Sequence, residues 1–255
     1  MGSTLVRLIH ESRAMRLAGA VEFSGNPQLG KDAGEVAGVG KVGVPIDADF
    51  ASLIKGAGVI IEFTAPDATL EHVKIAAEKN IPIVVGTTGL NQKQLDEIKK
   101  LSRRTRVLIS ANMSLGVNLL VSLMGKVAAI LGDDYDVEIV EAHHRFKKDA
   151  PSGTALALAK PIAAALKRDL DQAGVYGRKG LVGERTKQEI GLFSVRAGDI
   201  VGEHTVIFGG LGERIEFIHR AQSRETFARG ALRAAQWLVK QKKGLYSMQD
   251  VLGLG

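Results

Sequence analysis

The stretch from Glu138 to Ala155 holds the densest cluster of reactive groups in the chain. Glu138, Glu141, His143, His144, Arg145, Lys147, Lys148 and Asp149 run straight into Pro151-Ser152-Gly153-Thr154-Ala155. Imidazole exchanges protons near neutrality, and an ammonium beside an anionic substrate holds a proton that it can donate. His143 and Lys147 are four positions apart across a predicted turn, so the two groups could converge. Ser152-Gly153-Thr154 supplies small side chains, hydroxyls and free amides at a predicted helix start, a ready site for a carboxylate or phosphate. Two plainer readings stand beside this one. Adjacent histidines among acids sometimes ligate a metal, but a turn after a strand lacks the helical spacing of a zinc protease, and no third ligand is evident. Ser152 by itself reads equally as a helix cap following Pro151.

The flanking texture predicts the elements that must position this cluster. Val59 to Phe63, Pro82 to Val85 and Arg106 to Ile109 are short apolar strands. They alternate with helices over Pro66 to Asn80, Asn91 to Thr105 and Gly116 to Leu131, which implies a parallel sheet covered on both faces. Upstream, Leu5, Leu8 and Ile9 mark a helix and Leu17 to Phe23 a strand ending near an acid. The glycine-rich residues 24–45 read as one long loop with no element in it. From about residue 135 the pattern changes to period two, at 137–141, 190–208 and 214–218, predicting a largely antiparallel or mixed sheet. One helix, Ser152 to Leu166, interrupts it, and Pro161 predicts a bend near Ala157. The chain closes with a helix over Thr226 to Gln241. The fold class is therefore α/β, a Rossmann-like parallel sheet plus an α+β domain with a mixed sheet. The expected domains are 1–114, 115–223, and a C-terminal helical segment 224–255 returning to the first.

Composition narrows the function classes. The 255 residues carry 34 Lys and Arg against 28 Asp and Glu, a net charge of +6, with 45% apolar and 24% charged residues. That balance suits a globular protein with a substantial core. With no cysteine there is no disulfide, thiolate metal site or thiol nucleophile. We expect no apolar run near the ~20 residues of a membrane helix and no secretion signal, which points to the cytoplasm. Aromatics are only 5%, and Lys99-Lys100 and Arg103-Arg104 sit on a polar helix, so a small anionic molecule suits the charge better than nucleic acid.

The segment Glu138-Ile139-Val140-Glu141-Ala142-His143-His144-Arg145-Phe146-Lys147-Lys148-Asp149-Ala150-Pro151-Ser152-Gly153-Thr154-Ala155 resembles the signature of the 4-hydroxy-tetrahydrodipicolinate reductase family. The similarity extends to Glu62-Phe63-Thr64, Gly86-Thr87-Thr88-Gly89, Ala111-Asn112-Met113-Ser114 and Arg196 to His204, and so over essentially the whole chain. The resemblance implies reduction of 4-hydroxy-tetrahydrodipicolinate by NADH or NADPH in lysine and diaminopimelate biosynthesis. It further implies that His143 donates and accepts a proton and that Lys147 is the acid that protonates the ring after hydride arrives. His144, Ser152, Gly153 and Thr154 would hold the dicarboxylate. Gly86, Thr87 and Thr88, with Ser110, Ala111, Asn112 and Met113, would line the nicotinamide side at the carboxyl ends of parallel strands. Glu22 would accept hydrogen bonds from the ribose hydroxyls. Phe23 stands where some members carry an arginine for the 2′-phosphate, which favours NADH unless Lys31 compensates. The family also implies a homotetramer, to which strands between 190 and 218 could contribute by pairing between subunits.

One departure from the family pattern carries an expectation of its own. Met1-Gly2 matches the end of the family's Gly-Arg-Met-Gly turn, with Met1 at the cofactor. A first strand and most of the glycine-rich turn, roughly a dozen or more residues, are thus expected to be absent. The alternative reading is then a catalytically impaired pseudo-reductase or a ligand-binding oligomer. No metal site is expected.

Overall fold

A computed structural model describes residues 1–254, which divide into two units, one of Met1–Ser114 with the C-terminal residues from Glu225, the other Leu115–Arg224. In chain order the first unit holds α1 (Gly2–His10), β1 (Ala20–Val21), α2 (Ala33–Ala37), β2 (Ile46–Asp47), α3 (Phe50–Leu53), β3 (Ile60–Glu62), α4 (Pro66–Lys79), β4 (Ile83–Val85), α5 (Gln92–Leu101) and β5 (Arg106–Ile109). The second holds α6 (Leu115–Leu131), β6 (Asp136–His143), α7 (Gly153–Ala165), α8 (Leu170–Ala173), β7 (Gly174–Val175), β8 (Ile190–Arg196), β9 (Gly202–Gly210) and β10 (Glu213–Ala221). α9 (Glu225–Leu238), β11 (Gly244–Tyr246) and α10 (Met248–Leu252) then complete the first unit.

In the first unit β11, β5, β4 and β3 form a parallel sheet in that order, while β1 and β2 pair in parallel as a separate two-stranded sheet. Ile83, Val85 and Val107 are fully buried with Val73 and Ile98 from the helices, the pattern of strands covered on both faces. The helix ends follow local chemistry. α4 starts at Pro66 with Asp67 in its first turn and stops at Asn80 in the left-handed region; α5 opens with a capping box between Asn91 and Gln94.

In the second unit the order is β10-β9-β6-β8-β7, with β6, β8 and β7 parallel, β9 antiparallel to β6, and β10 antiparallel to β9. Val137, Ile139, Val206 and Phe208 pack with Leu158 and Ile162 of α7 and Met124 of α6. The alternation along β6 and β9 is the direct result: one face buried, the next residue on the other face.

Several expectations need correction. The strand foreseen over Leu17 to Phe23 is two residues long, Ala20–Val21. The glycine-rich stretch contains α2, because Asp32 accepts from the amides of Gly34 and Glu35 at its start and of Val42, Gly43 and Val44 beyond it. One carboxylate thereby orders a segment whose glycines suggested none. Within the chain β8 and β9 lie on either side of β6 and β10 lies outside β9, so of these strands β10 is the one whose outer edge stays open to the expected pairing between subunits. Finally, a run of the length thought absent exists: Leu115–Asp134 is long and apolar enough to cross a membrane by length and composition, with mean hydropathy 1.8. Its Met124 and Ala128 are instead part of the second unit's core.

Candidate active site

β6 ends at His143, and α7 begins after the N-cap residue Ser152. Glu141, on the same face of β6 as His143, is 1% exposed and links the two ends. Its Oε2 lies 2.6 Å from His143 Nδ1, and its Oε1 accepts from the Ser152 amide at 3.1 Å. Arg196 of β8 grips the same carboxylate with two bonds of 2.8 Å and reaches the Asp149 carbonyl at 2.7 Å. Ser152 is the helix cap, its Oγ accepting from Ala155 at 3.1 Å, but it also lies 3.2 Å from Nε2 of buried His204. The cap reading and the site reading are therefore both correct for this residue. Gly153 and Thr154 form the first turn of α7.

Lys147 sits in the intervening turn and pairs with Asp149 at 2.8 Å. Its ammonium holds the Asp149 carboxyl below the ordinary value. The His144 Nδ1 is buried with no partner, an unmet polar atom of the kind a ligand would satisfy. Burial pushes the Glu141 carboxyl up, but Arg196, His143, Ser194 and the Ser152 amide outweigh it and hold it at about 2. Burial pushes His143 below its ordinary value; the charges of Lys147 and Arg196 add to that, while Glu141 opposes it. The result is an imidazole poised to lose and regain a proton beside a cation. Among the described residues no group of three or more acids and histidines converges as a metal site.

His204 is 4% exposed, and burial with the neighbouring His143 pushes it down to about 3. A histidine depressed in the folded state contributes stability that is present above its unfolded value of 6.5 and lost as the pH falls toward 3. The expected loss from this group is on the order of 4 kcal/mol by pH 3. In urea titrations His204→Gln should reduce the slope of stability against pH between 6 and 4 by about one proton. An unchanged slope in the variant would assign the acid sensitivity elsewhere.

In the first unit, three turns leave the same ends of adjacent parallel strands, where ligands of open α/β sheets bind. Phe63 and Thr64 follow Glu62 at the end of β3, Gly86-Thr87-Thr88 follow β4, and Ser110 to Met113 follow β5. Thr87 Oγ1 accepts from the Thr64 amide at 3.0 Å and from the Thr69 hydroxyl at 2.8 Å. Buried Glu62 accepts from the Thr64 and Thr69 hydroxyls and lies 2.7 Å from His72 Nδ1. A Cβ on Gly86 would meet the Phe63 ring at 2.2 Å, so only glycine lets that ring pack against the turn. Ser110 donates to the Asn112 carbonyl, and the Ser114 amide donates to the Asn112 side chain, which fixes the third turn. Ala111 is exposed and Met113 buried. Glu22 follows β1 and is exposed, as is Phe23. Met1 is the N-cap of α1 and accepts there from the Leu5 amide. Such turns and an acid after a strand fit a dinucleotide.

Glu141, Arg196 and His204 complete the second unit's cluster without having been given roles from sequence. Their only signal there was the Glu-x-His alternation and the resemblance over Arg196 to His204.

The chain matches the family model described as dihydrodipicolinate reductase, N-terminus, over residues 1–113, and that of the C-terminus over 116–252. It is 54% identical over 253 residues to the 4-hydroxy-tetrahydrodipicolinate reductase of Syntrophus aciditrophicus, covering 99% of this chain and 94% of that protein. It is 50% identical over 254 residues to the 4-hydroxy-tetrahydrodipicolinate reductase of Syntrophobacter fumaroxidans, covering 100% and 95%. A solved dipicolinate-bound dihydrodipicolinate reductase from Paenisporosarcina sp. TG-14 shares the fold, with a TM-score of 0.73 at 24% identity over 98% of this chain and 94% of that one.

Proposed function

The chain belongs to the dihydrodipicolinate reductase family, and from that membership we propose how its own residues reduce 4-hydroxy-tetrahydrodipicolinate with a nicotinamide cofactor. When bound, the nicotinamide supplies a hydride to the substrate ring. Gly153 and Thr154 amides at the start of α7 hold one carboxylate, the positive end of the helix adding to the grip. The His144 imidazole, whose buried Nδ1 has no partner, and the Ser152 region complete the substrate pocket. Lys147 exchanges its bond to Asp149 for the substrate and donates the proton that completes the reduction. His143, through Nε2, takes and returns protons as the hydroxyl leaves as water. On the cofactor side Gly86, Thr87, Thr88 and Ser110 to Met113 form the cradle, Met1 borders it, and Glu22 binds the ribose hydroxyls.

One observation carries this reading: a single carboxylate, Glu141, bonds both to the His143 ring and to the N-cap amide of α7. A proton-transfer group is thereby held beside an anion-binding helix start. The test is direct. The purified chain should consume NADH only in the presence of 4-hydroxy-tetrahydrodipicolinate, and absence of substrate-dependent consumption would dismiss the reading. Phe23 is 67% exposed and offers no cation to a 2′-phosphate, so NADH is the preferred donor, with Lys31 the remaining candidate for such a contact. Phe23→Arg should move the ratio of kcat/KM values toward NADPH by about tenfold, the effect of one charge-assisted contact.

The assembly is a homotetramer in this reading. The face of the mixed sheet opposite its helices sets Val140, Thr205 and Ile218 side by side, and Val195 and Ile218 stay 45% and 44% exposed there. Apolar surface of that kind is what a subunit contact covers. The location is cytoplasmic, where a biosynthetic reductase meets its reduced cofactor.

A further inference from the structure

Resting on the reading of His143 as the proton-transfer group, we propose that Glu141 is a positioning residue: its carboxylate, clamped by Arg196, fixes the His143 ring and keeps the proton on Nδ1, leaving Nε2 for the reacting molecule.

The geometry allows one assignment of that proton. A carboxylate held ionised by a guanidinium only accepts hydrogen bonds, so at 2.6 Å the His143 Nδ1 must be the donor. Nε2 is then the nitrogen that gains and loses a proton, and it has no hydrogen-bond partner among the described residues. It lies over Gly202, where even a Cβ would come within 3.0 Å of it. The ring is thus bounded on one side by β9 and anchored at the other end by Glu141. Glu141 itself has little freedom. Arg196 takes both of its oxygens, Ser152 N donates to Oε1, and the carboxylate is 1% exposed. Arg196 also holds the Asp149 carbonyl, so the clamp ties the turn bearing Lys147 to the same carboxylate.

A purely mechanical role, stapling β6 to β8, would use the same bonds but would not set the proton affinity of the ring. The charged and titratable groups around His143 are Glu141 on its own strand, Arg196 from β8, Lys147 and Asp149 in the following turn, and His204 and His219 from β9 and β10. Of these Glu141 raises the affinity of His143 for its proton, whereas Lys147 and Arg196 lower it. Glu141→Gln keeps the shape and removes the charge. It should lower kcat by about 10² with KM changed less than about threefold. The limb of the kcat–pH profile set by His143 should move down by about one pH unit or more.

Nitrogen-15 NMR of the full chain supplies a readout that needs no substrate. The native His143 should show a protonated Nδ1 in its neutral form, and Glu141→Gln should lose that preference and titrate at lower pH. If the single variant fails to fold because Arg196 is left unpaired, Glu141→Gln with Arg196→Gln removes both charges and is measured in the same way. A folded variant whose His143 keeps its native tautomer and titration overturns the proposal. Should His143→Ala retain full turnover, the reading of His143 as the proton-transfer group fails, while the NMR result still decides what Glu141 does to the ring.

Discussion

Turnover should fall by about 10² or more when either Lys147 or His143 is replaced by alanine, the loss expected on removing a positioned proton-transfer group. The two effects should differ in kind. In the proposed mechanism Lys147 meets the anionic substrate, so Lys147→Ala should raise KM as well as lower kcat. In the same mechanism His143 moves protons and holds neither carboxylate, so His143→Ala should act chiefly on kcat. Lys148→Ala is the control, an exposed neighbour with the same charge and no partner in the cluster. Steady-state rates with saturating cofactor check all three. Near-native rates in both Lys147→Ala and His143→Ala would remove the chemical basis of the assignment.

A second large effect is expected far from any reacting group. Gly230 lies within α9, where alanine would ordinarily be favoured by about 1 kcal/mol. Here a Cβ would fall 1.7 Å from the carbonyl oxygen of Met113, a backbone atom that cannot swing aside. α9 buries Ala228, Ala231, Ala234 and Ala235 along the same face, so the helix sits close to its neighbours by design of small side chains. Overpacking of this sort costs about 1–3 kcal/mol, and a clash with backbone belongs at the upper end or beyond. The steric effect therefore outweighs the propensity gain, and Gly230→Ala should destabilise the protein by about 2 kcal/mol. Chemical unfolding measures it. Because Met113 ends the turn proposed to line the cofactor, the variant should also weaken NADH binding; a variant more stable than the parent would show that α9 yields easily.

Much of the fold was legible because local patterns and tertiary packing agree. β5 was read to its residue limits, α4 and α6 to within one, and the mixed sheet followed from period-two alternation. Agreement failed where one distant contact overrides composition. Asp32 orders a glycine-rich segment by collecting five amides, three of them ten or more residues away, and no periodicity records that. β11 was missed because three residues carry no pattern of their own and exist only by pairing with β5. That Leu115–Asp134 reaches membrane-spanning length went unread because the apolar helix was bounded at Leu131 and Lys126 interrupts its apolar residues.

The site divides along the same line. His143, Lys147, Ser152, Gly153 and Thr154 lie close in the chain, so residue types and spacing alone determined that an imidazole, an ammonium and a helix start would share one turn. The sequence likewise determined the family, because that motif is long and its elements are local. What only the tertiary structure decided is the state of those groups: Arg196 and His204 arrive from β8 and β9, some fifty or sixty positions away. Arg196 makes Glu141 an ionised anchor, which commits one nitrogen of His143 and leaves the other open, while His204 closes on Ser152. Proton affinity depends on burial and on charges within a few ångströms, and those distances are set by strand pairing, which no reading along the chain can measure.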